Sequence, residues 1–140
     1  MITVDIFIEK YDWDVRAYFA ISRYDIDEIC HSLKGIRCPL NFLNKSIRHM
    51  MRDKKNEGFT YSNKGRRESV MVVGKTTSGK EFLNSFTHEL RHLTDDIASE
   101  IGMRLSGEEV AYLTGSLAMS MGDIVCKLSC NCCRHKNFDL

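Results

Sequence analysis

The stretch SGKEFLNSFTHELRHLTDDIASEI, residues 78–101, decides the fold of this 140-residue chain. Its apolar residues recur every three or four positions from Phe82 to Ile101, which is the spacing of one face of a long α-helix. Ser78 and Glu81 have the spacing of a capping box at the start of that helix, and Gly102 is suited to its end. The stretch therefore predicts a long helix with one buried side.

A second helix is predicted directly after the first. Ser106 and Glu109 again have capping-box spacing. Apolar residues at helical spacing follow them: Val110, Leu113, Leu117, Met121 and Ile124. The second half of the chain is thus expected to form two consecutive helices.

The first half predicts two pairs of strands with two short helices between them. Alternating apolar residues predict strands at 2–8, 13–21, 59–62 and 68–74. Asp25 with Glu28 favours the start of a helix that Gly35 ends, and Pro39 favours the start of another. We expect a single α+β domain, residues 1–134, in which helices pack on a small antiparallel or mixed sheet. Residues 135–140 are expected to form a short polar tail.

Composition excludes several classes of protein. Apolar residues make up 43% of the chain, enough for a buried core, and a net charge of +1 argues against a uniformly polybasic nucleic-acid binder. The longest uncharged stretch, residues 110–122, is too short for a membrane span of roughly 18 residues. The N-terminus lacks the features of a secretory signal, so the six cysteines are expected to be reduced thiols in a cytoplasm.

Within the long helix stands His88-Glu89-Leu90-Arg91-His92, the pattern H-E-x-x-H. Histidines at i and i+4 share one helical face, so both imidazoles can reach a single metal ion. This face lies away from the apolar stripe. Glu89 is placed beside such an ion, where hydrolysis by metal-bound water needs a general base. The pattern predicts a catalytic zinc site.

A catalytic zinc ion usually has three protein ligands and one open position. The metzincin continuation is absent, because Asp95 and Ala98 stand where it has glycine and histidine. The third ligand is therefore expected on the next helix. Glu108 shares a face there with Tyr112, opposite the apolar stripe, and is assigned as the ligand. Glu109, whose capping-box position gives it a structural task, remains the alternative.

These motifs resemble the gluzincin group of zinc metallopeptidases, and more narrowly the small zincin-like proteins of phages and mobile elements from gut bacteria. The resemblance covers about residues 58–125 and rests on a strand and Lys-Thr-Thr turn at 69–77, the H-E-x-x-H helix, and Glu-x-x-Ala-Tyr-Leu-x-Gly at 108–115. It implies a zincin-like domain that hydrolyses a peptide or protein. It also implies His88, His92 and Glu108 as Zn²⁺ ligands and Glu89 as catalytic acid/base. The fifteen residues between His92 and Glu108 are fewer than in larger gluzincins.

Four further features are given supporting roles. Tyr112 is a candidate donor to the developing oxyanion, or simply an aromatic packed between helices. Asp95 is a candidate acceptor for a ligand imidazole, or a solvated residue. Gly115 would let the two helices approach closely. The strand at 68–74 would hold an extended peptide if it lies at a sheet edge.

Two alternatives to a peptidase remain open. One is a non-catalytic protein in which the same zinc ligands stabilise an interaction surface. The other is a nucleic-acid-associated module that uses nine basic residues between positions 37 and 67, although a solvated face is favoured. The metal-binding residue types near the C-terminus have irregular spacing, which disfavours a second metal site. They are Cys126, Cys130, Cys132, Cys133 and His135.

Overall fold

The computed structural model describes residues 1–130, in which a four-stranded mixed sheet carries helices on both faces. The strands are β1 (Ile2–Ile8), β2 (Trp13–Ile21), β3 (Gly58–Asn63) and β4 (Glu68–Gly74), and they lie in the order β1-β2-β4-β3. The pairs β1–β2 and β3–β4 are antiparallel, and β2 runs parallel to β4. The predicted α+β class with a mixed sheet is confirmed.

Five α-helices occur in the described residues. They are α1 (Ile26–Gly35), α2 (Leu40–Met51), α3 (Gly79–Ile101), α4 (Glu108–Ser120) and α5 (Gly122–Ser129). Helices α1 and α2 cover one face of the sheet, and α3, α4 and α5 cover the other. None of the helices in residues 1–130 is long and apolar enough to cross a membrane.

Side chains alternate along a strand, and in the second half of β2 those on both faces of the sheet are buried. Phe19 packs with Phe82 and Phe86 of α3, at ring-centroid distances of 6.2 and 6.3 Å. Its neighbour Tyr18 is fully buried in the cluster under α1 and α2. The apolar stripe of α3 therefore holds this helix against the sheet and leaves its opposite side free.

Helix capping follows the sequence prediction at only one of three helices. The Ser78 hydroxyl accepts a hydrogen bond from the Glu81 N–H at 3.1 Å, as predicted for α3. Helix α4 instead begins after Gly107, without a side-chain cap, so the predicted box of Ser106 with Glu109 is wrong. The box predicted at Asp25 is also absent from α1, because Asp25 closes a box on the preceding one-turn 3-10 helix.

The last predicted helix is broken into two at Gly122. Glycine is a poor helix former, and Met121 leaves helical geometry with φ −101° and ψ 9°. Helix α5 turns back towards the start of α3, where a Cβ atom on Gly79 would lie 1.9 Å from the Ser129 carbonyl oxygen. Glycine at position 79 is therefore what allows α5 to pack against α3.

The sheet order decides which strand borders the candidate site. Strand β4 lies between β2 and β3, so the prediction that it could hold a peptide at a free edge is wrong. Strand β3 is an edge strand of the described sheet, and it lies against α3. The predicted tail, 135–140, and the side chains of Cys132, Cys133 and His135 lie outside the described residues.

Candidate metal-binding site

His88 and His92 converge on one point above the exposed side of α3. Their Nε2 atoms are 3.1 Å apart and their rings are inclined by 73°. Both side chains are exposed, whereas the apolar stripe of the same helix is buried. The predicted orientation of the pair is confirmed.

Glu89 is buried beside this pair, with only 4% of its surface exposed. The Thr60 hydroxyl of β3 donates a hydrogen bond to Glu89 Oε1 at 2.8 Å. Burial raises the pKa of Glu89 above its ordinary value, and the Thr60 hydrogen bond and the nearby histidines oppose that shift. The carboxyl group is thus fixed in a desolvated position that favours holding a proton.

Gly58 of β3 leaves the space that this carboxyl group occupies. A Cβ atom there would lie 3.2 Å from Glu89 Cγ and 2.3 Å from the Val72 carbonyl oxygen. Any larger residue would push β3 away from both β4 and α3. Glycine at position 58 therefore allows both the pairing of β3 with β4 and the position of the Glu89 side chain.

A cavity of about 410 Å³ opens at this edge of the sheet, with walls from α2, β3 and α3. His88, Glu89 and His92 line it on the α3 side, and His49 lines it on the α2 side. The cavity joins elements from both faces of the sheet, since α2 and α3 cover opposite faces. A substrate here would meet the histidines, the glutamate and the edge strand together.

His49, which no motif in the sequence singles out, also lies in this wall. Its Nε2 atom is 3.0 Å from Glu57 Oε2, and neither of these buried atoms has a well-aligned hydrogen bond. Its ring packs edge-on against Phe59 at a centroid distance of 5.9 Å. No local pattern marks His49, because α3, which forms the opposite wall of the cavity, is distant from it in sequence.

The structure does not bring Glu108, or its alternative Glu109, to the histidine pair. In residues 1–130 no three His, Cys, Asp or Glu side chains are close enough to hold one metal ion. Glu108 is exposed, and Glu109 accepts a hydrogen bond from the Tyr11 hydroxyl at 2.9 Å. Tyr11 lies between β1 and β2, across the sheet from β3. The first turn of α4 is therefore directed away from the pair.

Of the other supporting residues, Tyr112 and Gly115 are not placed as predicted, and Asp95 borders a cavity with the pair but is bound by Arg91. Tyr112 is 73% exposed and lines neither of the two cavities that border the histidines. The Arg91 guanidinium donates to both oxygens of Asp95 at 2.9 Å, so Asp95 pairs with Arg91. A Cβ atom on Gly115 would meet nothing within 4 Å, so this glycine does not mark a close helix contact.

The distance between the Nε2 atoms of His88 and His92 is close to the distance that a shared zinc ion requires. Two Zn–N bonds of about 2.0–2.1 Å at a tetrahedral angle place the nitrogens about 3.3 Å apart. The observed 3.1 Å is close to that value, and it also suits a hydrogen bond between a protonated and an unprotonated imidazole. The pair thus fits two of the three protein ligands of a catalytic zinc site, and the described residues supply no third.

In comparisons with protein-family models, curated proteins and solved structures, no match to this chain was found.

Proposed function

We propose that this chain is a zinc-dependent hydrolase of peptide bonds, with His88 and His92 as metal ligands and Glu89 as general base. One observation supports this proposal above all others. Two converging imidazoles and a buried carboxyl group lie together in a cavity at a free sheet edge. Histidines with a purely structural role do not require a buried carboxyl group and a cavity beside them, whereas hydrolysis by an activated water requires both.

The residues of the chain divide the chemistry between them. A zinc ion held by the pair would lower the pKa of a bound water to about 7 and polarise a carbonyl group. Glu89 takes a proton from the attacking water and returns it to the leaving amine. Thr60 holds the Glu89 carboxyl group in place by its hydrogen bond. An extended peptide can pair with the outer edge of β3, the role first expected of β4.

Metal analysis tests the proposed ligands. We expect the purified chain to bind one zinc ion, and we expect His88→Ala and His92→Ala each to lose it. His31→Ala is the matched control, since this exposed histidine lies on α1 and borders a different cavity. Retention of zinc in both variants, or its loss in His31→Ala, would contradict the assignment.

Glu89→Gln tests the general base. The variant should keep its zinc and its fold while hydrolysis of an unfolded protein such as casein falls by about 10²- to 10⁴-fold. Glu100→Gln, an exposed glutamate on the same helix, should keep full activity. Zinc binding without hydrolysis in the native chain would favour the non-catalytic alternative.

The nucleic-acid alternative is supported by part of the basic region only. Arg66 pairs with Glu68 at 3.2 Å, and Arg67 donates to the Tyr11 carbonyl oxygen at 2.7 Å. Seven exposed cations of this region make no ion pair with any described residue: Arg37, Lys45, Arg48, Arg52, Lys54, Lys55 and Lys64. We keep a peptide as the proposed substrate, because Lys45 is the one of these cations that lines the cavity with the histidine pair. We also propose a reducing cytoplasmic setting for the chain.

A further inference from the structure

Asp96 is a second carboxylate of α3 that lines the cavity with the histidine pair. It follows His92 by four positions, so it lies on the same side of the helix, one turn further along. It is partly buried and makes no ion pair with any described residue. The proposed metal site and general base do not use it.

A chain of hydrogen bonds through the sheet holds Asp96 in place. The buried Trp13 indole N–H of β2 donates to Ser69 Oγ of β4 at 2.9 Å. Ser69 Oγ and Ser62 Oγ of β3 are 2.7 Å apart, and Ser62 donates to Asp96 Oδ2 at 2.7 Å. Because the Ser62 proton goes to Asp96, Ser69 must donate to Ser62. Every donor in the chain therefore points towards the carboxylate.

This chain of donors has two consequences for Asp96. Each hydrogen bond polarises the next, which strengthens the last bond, from Ser62 to the carboxylate. The carboxylate is also fixed relative to β3, so it would lose little freedom on binding a ligand. Thr60 and Ser62, alternate residues of β3, thus hold the two cavity carboxyl groups Glu89 and Asp96 respectively.

Lys45, the lysine in the cavity wall, does not neutralise Asp96. Lys45 of α2 lines the same cavity but is exposed, and its ammonium group makes no ion pair with the described residues. A flexible, solvated lysine is a weak partner for Asp96, because exposed charges are screened by salt. A cation that enters the cavity can pair with Asp96 without displacing a protein group.

We propose that Asp96 is a specificity-determining residue that binds a positively charged group of the peptide substrate. The chemistry fits an ammonium or guanidinium group, which donates hydrogen bonds to the carboxylate oxygens. Such a group belongs to a Lys or Arg side chain or to a free amino terminus. This inference rests on the proposed function for the identity of the site, but it concerns binding and not hydrolysis.

Peptide binding tests the inference. The protein is the full chain with Glu89→Gln, and this substitution prevents hydrolysis from consuming the peptide. The titration is done with zinc present. The probes are Ac-Ala-Ala-Lys-Ala-Ala-NH₂, the same peptide with norleucine for Lys, and the norleucine peptide with a free amino terminus. Calorimetric titration should show that one of the two cationic peptides binds about tenfold more tightly than the neutral one, which identifies the source of the charge.

Substitutions at Asp96 identify the residue responsible. Asp96→Asn, which can still accept the Ser62 hydrogen bond, should remove the preference for the cationic peptide, and Asp96→Glu should restore part of it. Asp95→Asn is the matched control and should keep the preference, because Asp95 pairs with Arg91. Equal binding of all three peptides, or a preference that survives Asp96→Asn, would overturn the inference. Thermal melts check that each variant is folded.

The outcome is separable from that of the proposed function. If the native chain has no hydrolytic activity but the preference for a cationic peptide depends on Asp96, the binding role of Asp96 is supported and the hydrolase proposal is contradicted. Hydrolysis by the native chain without any such preference would do the reverse.

Discussion

At the residue scale, Glu109 links the first turn of α4 to the hairpin of β1 and β2. The sequence gives it a local task at the start of a helix, but its carboxylate accepts the Tyr11 hydroxyl from the far end of the β1–β2 hairpin. Burial is the largest cause that raises the pKa of Tyr11 above its ordinary value. This hydrogen bond and the charge of Glu109 raise it further. The contact joins α4 to the sheet and should be visible in the pH dependence of stability.

Tyr11→Phe tests that contact. A raised pKa means that the folded state holds the phenolic proton more firmly than the unfolded state, so the stabilisation is complete below about pH 10 and is lost as pH rises further. Urea unfolding at several pH values up to about pH 11 should show the native chain losing stability faster than the variant. At neutral pH the variant should be roughly 1 kcal/mol less stable. Parallel pH curves would argue against the contact.

At the scale of the elements, two glycines in helices should respond oppositely to alanine. At Gly79 the added Cβ would meet the backbone of Ser129, whereas at Gly115 it would meet nothing within 4 Å. Gly79→Ala should therefore cost about 1–3 kcal/mol by displacing α5. Gly115→Ala should stabilise the chain by about 0.5–1 kcal/mol, since alanine favours the helix.

Chemical denaturation of the two variants measures both effects against one native curve. A stabilising Gly79→Ala would show that α5 does not pack on α3 in solution. A destabilising Gly115→Ala would point to a helix contact at that position.

The elements and their pairing into two hairpins were largely predictable, but the order of the hairpins in the sheet was not. Period-two and helical spacing located all four strands and the long helix α3, because these patterns reflect which side of an element is buried. They do not state which strand lies at an edge, so the edge position of β3 was not predicted. The break at Gly122 was missed because apolar spacing continues through it.

At the scale of the whole molecule, the candidate site was half predictable. His88, Glu89 and His92 belong to one helix, so their spacing alone fixed their relation. Asp96 also belongs to α3, but His49 and Thr60 reach the cavity through α2 and β3, and only the packed structure brings these two residues to the pair. The same limit explains Glu108, whose distance from the pair depends on the path of the chain between α3 and α4.

The free cations also have to be judged on the whole molecule. Lys45, Arg48 and Arg52 follow one face of α2 and its end, in i, i+3, i+7 spacing. Binding to double-stranded DNA, followed by fluorescence anisotropy, should be weak and should lose affinity with salt with a log–log slope no steeper than about −3. Reversing these three charges with glutamate should abolish it and leave zinc binding unchanged. Tight binding that persists at about 200 mM salt would favour the nucleic-acid alternative.

The parallel contact between β2 and β4 also bears on how the molecule is assembled. Each antiparallel hairpin closes through a short turn, but the contact that unites them joins Asp14 to Glu68, roughly fifty positions apart. Contacts between such distant segments form late, because the entropy of the intervening loop is lost first. Both hairpins and α3 can therefore form before the four-stranded sheet is complete. Because α3 packs on Phe19 of β2 and is hydrogen-bonded to Thr60 of β3, the cavity lined by the histidine pair takes its final shape only when the two hairpins have joined.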